Sequence, residues 1–338
     1  MRHRLWIVLL AGWVTVIGGW AGVPGCEAYE GHAKRVFGAS PPNNHLIYSM
    51  DPALMVGLNF ALREDERQWL SPKVAALPVL GGWFGQGRSA NMEELMKQAP
   101  DLVLLWGAMP GFDAVVSKIS ESGLAACHIE TDTLDTYPAA YRTLGRIFDM
   151  PERGEKLAWY IETVLTRLAR LRESVPEAER LTVYYAEGVD GLKTECDRSI
   201  HAEPILLAGG INPHQCARTH GYGMEAITFE QLLAYDPDVI ITQEGRFLET
   251  VRTQSRFKAL KAVREGRVYR IPLHPFPWFD RPPSFMRAIG APWLAWRLYP
   301  DRYPGDIKEE IAGFYRLFFN MELDDAALEV LTTSGEKE

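Results

Sequence analysis

Cys196, His201, His214, Cys216 and His220 crowd one stretch of the chain. Thiolate and imidazole are the ordinary ligands of zinc, so the cluster raises a metal site and, with it, a metal-dependent hydrolase. The spacing matches no standard zinc pattern. The chain also contains neither His-Glu-x-x-His nor the Gly-x-Ser-x-Gly turn of a serine hydrolase. Three readings of the cysteines stay open: a Cys196–Cys216 disulfide with Cys127 left free, a metal site, or no relation between them. Their thiol state separates the first from the hydrolase, because a disulfide removes the cysteine ligand that such a site requires. The expectation is a binding protein, not an enzyme.

The residues that would bind lie on other loops. The segment His274-Pro-Phe-Pro-Trp-Phe-Asp-Arg-Pro-Pro-Ser284 is the most unusual, since its prolines stiffen it and leave Trp278 and Arg281 little entropy to lose. An indole face and a guanidinium suit a flat anionic ligand. Core packing by Trp278, and pairing of Asp280 with Arg281, is the competing reading. Tyr48, Trp83, Arg88, Trp106 and Arg246 fall on further loops that follow expected strands, and they complete the candidate binding set.

The elements that must position these residues are announced by a repeat. Asn91-Met-Glu-Glu-Leu-Met96 running on to Pro100-Asp-Leu-Val-Leu-Leu105 aligns without a gap with Thr228-Phe-Glu-Gln-Leu-Leu233 running on to Pro237-Asp-Val-Ile-Ile-Thr242. Each opens with a capping box, Asn91 with Glu94 and Thr228 with Gln231, and so starts a helix. Pro100 and Pro237 end those helices, and the apolar runs behind them read as buried parallel strands. Further strands are expected near 35–37, 126–129, 181–186 and 268–271, alternating with helices in the βαβ manner. Gly81-Gly82 and Gly209-Gly210 read as turn or helix-end glycines, and no nucleotide-binding glycine loop occurs. Between the halves, Leu157, Ile161, Val164, Leu165, Leu168 and Leu171 form one apolar stripe on a helix from about Glu152 to Ser174. That stiff connection predicts small hinge motions.

Composition sets the outer limits. With 338 residues, 47% of them hydrophobic, the chain has length for two lobes with their own cores. A net charge of −8 and the lack of a Lys/Arg run argue against nucleic acid as a partner. Met1-Arg-His-Arg4, an apolar stretch from Leu5 to Ile17, and small residues up to Ala28 have the layout of a signal peptide. An uncleaved anchor helix, or a lipid anchor on Cys26, are the alternatives. The expected division is a signal peptide at 1–28, an N-terminal α/β lobe at 29–151, the connecting helix at 152–174, a C-terminal α/β lobe at 175–331 and a frayed tail at 332–338.

Taken in order, Leu80-Gly-Gly82, Asn91 to Leu95 with Pro100 to Val103, and Leu207-Ala-Gly-Gly-Ile-Asn212 resemble the periplasmic binding proteins for ferric siderophores, haem and cobalamin, over about Arg35 to Phe319. The resemblance implies an α/β fold of two Rossmann-like lobes with parallel sheets, joined by a single long rigid helix, with the ligand cleft between them. It implies a periplasmic, monomeric protein that hands a metal chelate to an ABC permease dimer, the chelate being cargo and no cofactor being intrinsic. It assigns permease docking to Glu93 and Glu230, although a first-turn Glu is also what the helix dipole favours. A metal with an open position would draw on His45, Tyr48, His201, His214 or His274. An oxyanion such as molybdate, the alternative cargo along with a free metal ion, would instead use Ser40, Arg88, Ser89 and Ser284 with helix-end amides.

Overall fold

A computed structural model of the protein describes residues 23–83, 89–106, 113–216 and 223–333, with the side chains of 113 and 114 excepted. Strands β1 (Val36–Gly38), β2 (Leu102–Trp106) and β3 (Ala126–Ile129) form one parallel sheet in that order. Strands β4 (Val183–Ala186), β5 (Val239–Thr242) and β6 (Val268–Arg270) form a second, also parallel. All six lie where the apolar runs predicted them.

Strand alternation then distributes the side chains. Leu102 and Leu104 of β2, with Val183, Tyr185, Val239 and Ile241 of the other sheet, point into one core shared by both lobes. Val103 and Leu105 instead join Leu95 in a cluster private to the N-terminal lobe, and Tyr184 and Ile240 join Leu232 in its C-terminal counterpart. Leu95 and Leu232 are repeat-equivalent. So are the helices that carry them, Met92–Lys97 and Phe229–Tyr235. Thr228 and Gln231 close a full capping box, whereas Asn91 caps Glu93 and Glu94 but receives no reciprocal bond, its own N–H going to Leu80. Each helix ends one residue ahead of its proline in a left-handed residue, Ala99 at φ 43° and Asp236 at φ 34°. The repeated Asp after each proline has a matching task. Asp101 accepts from the amides of Lys34 and Arg35 at 2.8 and 2.9 Å, and Asp238 from Thr182 at 2.8 Å, each pinning the entry of the neighbouring strand.

The helix Pro151–Ser174 links the lobes and buries Leu157, Ile161, Val164, Leu168 and Leu171, with Leu165 partly buried beside them. At ~1.5 Å per residue it is about 36 Å long. It crosses the helix Tyr137–Ile147 so closely that a Cβ on Gly154 would lie 2.4 Å from the Tyr141 carbonyl oxygen, so glycine is required there. Gly209, just beyond the helix Glu203–Leu207, has φ 81°, as a helix-end glycine should.

The joint holds more than this helix. The helix Ile307–Phe319 of the C-terminal lobe packs back against the first lobe, with Phe319 5.5 Å from Tyr48 and Phe318 6.4 Å from Tyr141 between ring centroids. Arg287, fully buried on the helix Arg287–Leu298, pairs with Glu203 and donates to the carbonyls of Thr131 and Asp132 across the lobe boundary. Glu203 in turn accepts from the Leu134 amide at 2.8 Å. Lobes fastened by a shared core and a buried ionic network favour small motions over wide closure.

Both ends of the described chain are packed onto the lobes. Val23 and Cys26 are buried, and the Pro24 carbonyl accepts from the His128 amide of β3, so residues 23–28 pack on the N-terminal lobe. Cys26 is disulfide-bonded to Cys127. Cys127 is therefore not free, and a sulfur in a disulfide has no valence left for a lipid thioether. At the other end the helix Asp325–Thr333 buries Leu331 and Thr332, so ordered structure continues past 331. Among the described residues no helix is long and apolar enough to cross a membrane.

Candidate functional site

A cavity of about 560 Å³ lies between the lobes, with both contributing walls. The first wall is built by the helix Pro41–Met50, which follows β1 directly and turns Asn44, His45 and Tyr48 toward the cavity. Two buried asparagines fasten it. Asn44 accepts from the Gly38 amide and donates to the Gly57 carbonyl and to Asn59, while Asn59 donates to the carbonyls of Gly38 and Gly81. These bonds lock the end of β1, the start of the helix and the loop bearing Phe60 into one piece.

The second wall comes from Ile200 and His201 and from the loop Phe276–Pro283. Phe276 reaches across to the first lobe. Its ring stacks on His45 at 3.8 Å and meets Tyr48 edge-on at 5.6 Å. Arg281 turns away from the cavity's apolar surface toward carboxylates, bonding Glu187 at 2.6 Å and Glu195 at 2.7 Å, with Asp280 at 3.5 Å. Its backbone takes φ 58°, a left-handed conformation that costs a non-glycine residue about 1–2 kcal/mol. Asp280, fully buried, also pairs with Nδ1 of His201.

Electrostatics differ between the walls. Burial lowers His45 to about 3, and its Nδ1 has no partner among the described residues, so this ring is neutral and apolar in character. Burial lifts Tyr48 to about 12, keeping it a neutral phenol. Across the cavity, burial pushes Glu187 up to about 7 against the opposing pull of Arg281, and raises Glu195 as well. At His201 burial opposes the charged ring, but the hydrogen bond and charge of Asp280 outweigh it and the pKa rises.

Of the candidate binding residues, the fold brings Tyr48, Trp106 and Arg281 to the cavity. Trp83 does not reach it and packs edge-on against Phe37 at 6.3 Å. Arg246 is exposed on the helix Gly245–Thr253, away from the cavity. Arg88 lies outside the described residues. Trp278 is fully buried against Trp293 and Tyr315 and donates to the His274 carbonyl, so it supports the loop from behind and does not line the cavity. In its place Phe276 presents the loop's aromatic face. Both are aromatic and two residues apart, so nothing in the sequence says which one the loop turns outward. Asn44 and Asn59 carried no sequence signal at all.

The histidine–cysteine cluster resolves separately. Cys196 and Cys216 form a disulfide. His214 uses both ring nitrogens, on Tyr235 at 2.9 Å and Glu225 at 3.2 Å. His220 lies outside the described residues. A hydrolase site built on Cys216 and these histidines is thereby dismantled.

Residues 65–274 match the family model described as periplasmic binding protein. Among solved structures, an ABC transporter solute binding protein from Sulfurospirillum deleyianum is 39% identical, superposes with a TM-score of 0.83, and covers 89% of this chain and 94% of its own. A molybdate periplasmic binding protein from Haemophilus influenzae, 19% identical, shares the fold with a TM-score of 0.70 over 87% of this chain and 94% of its own. The periplasmic vitamin B12 binding protein of Vibrio cholerae, 20% identical, does so with a TM-score of 0.61 over 80% and 99%. No curated protein matches the sequence. Two parallel-sheet lobes, a long connecting helix and a cavity between the lobes agree with these matches. The chain belongs to the periplasmic binding proteins, the solute-binding components of ABC transporters, and is a binding protein, not an enzyme.

Proposed function

We propose that the protein captures a metal chelate outside the cytoplasm, held mainly through the chelate's organic shell, and delivers it to an ABC permease. The observation that carries this reading is the cavity: about 560 Å³ between the lobes, walled largely by Tyr48, Leu58, Phe60, Leu70, Trp106 and Phe276. Pockets of that size and character suit organic ligands of several hundred daltons. A tetrahedral oxyanion would instead need a small cradle of converging amides and hydroxyls. A free divalent ion would need three or four ligands converging on one point; Glu195, His201 and Asp280 do converge, but Arg281 already engages Glu195 and Asp280, and His201 is paired with Asp280.

Export through a leader within residues 1–22 is part of the proposal, since residues 23–28 are folded into the lobe. Docking through Glu93 and Glu230 is another. Both are exposed at equivalent positions of the repeat, one per lobe, which suits a two-fold permease with the binding protein as a monomer. Glu93→Lys with Glu230→Lys should abolish transport and leave cargo affinity unchanged; undiminished transport would refute the docking assignment.

The cargo is tested by titrating the purified protein with ferric siderophores, haem, cobalamin, nickel chelates and molybdate while following tryptophan fluorescence. Trp106, in the cavity wall, is the expected reporter. Saturable quenching by one chelate at micromolar concentration or below is the expected result. Silence toward every chelate, with a response to molybdate alone, would refute the chelate reading.

A further inference from the structure

The charge of the second wall carries an inference beyond the class of cargo. A guanidinium beside a binding cavity ordinarily invites an anion. Here Arg281 is already engaged by two carboxylates at hydrogen-bond distance, Glu187 and Glu195, with a third, Asp280, at 3.5 Å. All three acids are nine-tenths or more buried. His201, the other basic group on this wall, is bonded to Asp280. One oxygen of Glu187, Oε2, has no partner among the described residues, so the acid cluster behind Arg281 and His201, the two groups that line the cavity, has more acceptor capacity than its donors satisfy. On the opposite wall Arg63 is likewise engaged, by Asp65 at 3.2 Å and by Glu66 at 2.9 Å. Every cation that the described residues place at the cavity thus faces at least one carboxylate, and Arg281 faces three.

We propose that Glu187, Glu195 and Asp280 determine specificity by charge, turning polyanionic chelates and oxyanions away and admitting metal complexes of neutral or positive net charge. The physical basis is that a cavity with apolar walls focuses the field of the groups around it, and at pH 8, where Glu187 is ionised, three carboxylates stand against the two cations Arg281 and His201 and leave this side net negative. An anionic cargo would have to compete for Arg281 against partners that are already desolvated and bonded. The inference rests on the reading of this cavity as the cargo site, but it is tested without knowledge of the cargo.

Phe60, exposed at the cavity rim, is replaced by cysteine in a chain whose four native cysteines are all paired. Its modification rate is measured at pH 8 with a cationic trimethylammonium thiosulfonate and with an anionic sulfonate thiosulfonate, each normalised to mercaptoethanol. A potential of order one kT acts oppositely on the two reagents and favours the cation by about sevenfold. Glu187→Gln with Glu195→Gln should bring that preference down at least by half and confer binding of molybdate that the unaltered cleft lacks. If the double variant does not fold, the Phe60→Cys ratio in the otherwise unaltered chain decides alone. A normalised ratio of one or below, or saturable molybdate binding by the unaltered protein, overturns the proposal. Failure of every chelate in the fluorescence titration would sink the cargo reading and leave the thiol ratio standing, so the two failures are distinguishable.

Discussion

The two lobes share a scaffold and differ in the walls they present. The helix cap, the left-handed residue before the proline and the strand-pinning Asp recur at an offset of 137 residues, the difference between Asn91 and Thr228. Leu95 and Leu232 even occupy matching clusters. At the cavity the correspondence ends. The first lobe offers amides, a neutral His45, a phenol and an exposed Arg63 paired with Asp65 and Glu66, while the second offers a buried ionic set around Arg281. Duplication preserves what packs a lobe, because packing constrains shape on every side. It leaves the loops beyond the strand ends free to diverge, and binding groups are carried there.

Each lobe also has its own disulfide, and removing them sharpens the contrast most. Cys26–Cys127 closes 101 residues and Cys196–Cys216 only 20. Loop-closure entropy predicts that losing the first costs about 4.7 kcal/mol and the second about 3 kcal/mol. Denaturant unfolding of Cys26→Ala/Cys127→Ala and of Cys196→Ala/Cys216→Ala measures both; equal losses would break the ordering.

The next effect separates two neighbours in one loop. Trp278→Ala should cost about 3–5 kcal/mol of stability, as expected for a fully buried indole. Phe276→Ala should instead weaken cargo binding about tenfold, equivalent to about 1.4 kcal/mol, because its face lines the cavity. Isothermal titration and thermal melts of the two variants distinguish the roles; a Trp278→Ala protein that is stable but fails to bind would reverse them.

The smallest effect lies in pH. His45, lowered to about 3 from 6.5, binds its proton more weakly in the folded state, so its contribution to stability grows as pH rises from 3 to 6.5. Glu187, raised to about 7 from 4.5, binds its proton more tightly in the folded state, so its contribution is lost as pH rises from 4.5 to 7. The walls therefore pull the stability profile in opposite directions over their common range. In urea titrations across pH 3 to 8, His45→Phe should flatten the rise and Glu187→Gln the fall. An unchanged profile in either variant would remove that group from the balance.

Much of this was legible before any coordinates. The six strands, the connecting helix and the duplicated lobes follow from short-range chemistry, and the Cys196–Cys216 pairing was one of three readings that the sequence left open. Apolar runs of four to six residues bury as strands, a stripe of leucines at helical spacing makes one helix face, and two cysteines in one loop-rich stretch pair in an oxidising compartment. Of the cavity set, Tyr48, Trp106 and Arg281 were readable because they follow strand ends, where such folds open their clefts.

What only the tertiary structure decided is direction and partnership over long sequence separations. Phe276 faces the cavity and Trp278 the core because the shared core happens to have room for an indole against Trp293 and Tyr315. Arg281 is engaged by carboxylates 86 and 94 residues away. Cys26 meets Cys127 across 101 residues, and Arg287 reaches the opposite lobe across 155. Local sequence determines which backbone conformation a segment prefers, since that is settled within a few residues. Which side chain faces a cleft, and whether its charge is free or already paired, depends on neighbours that only the packed fold brings together.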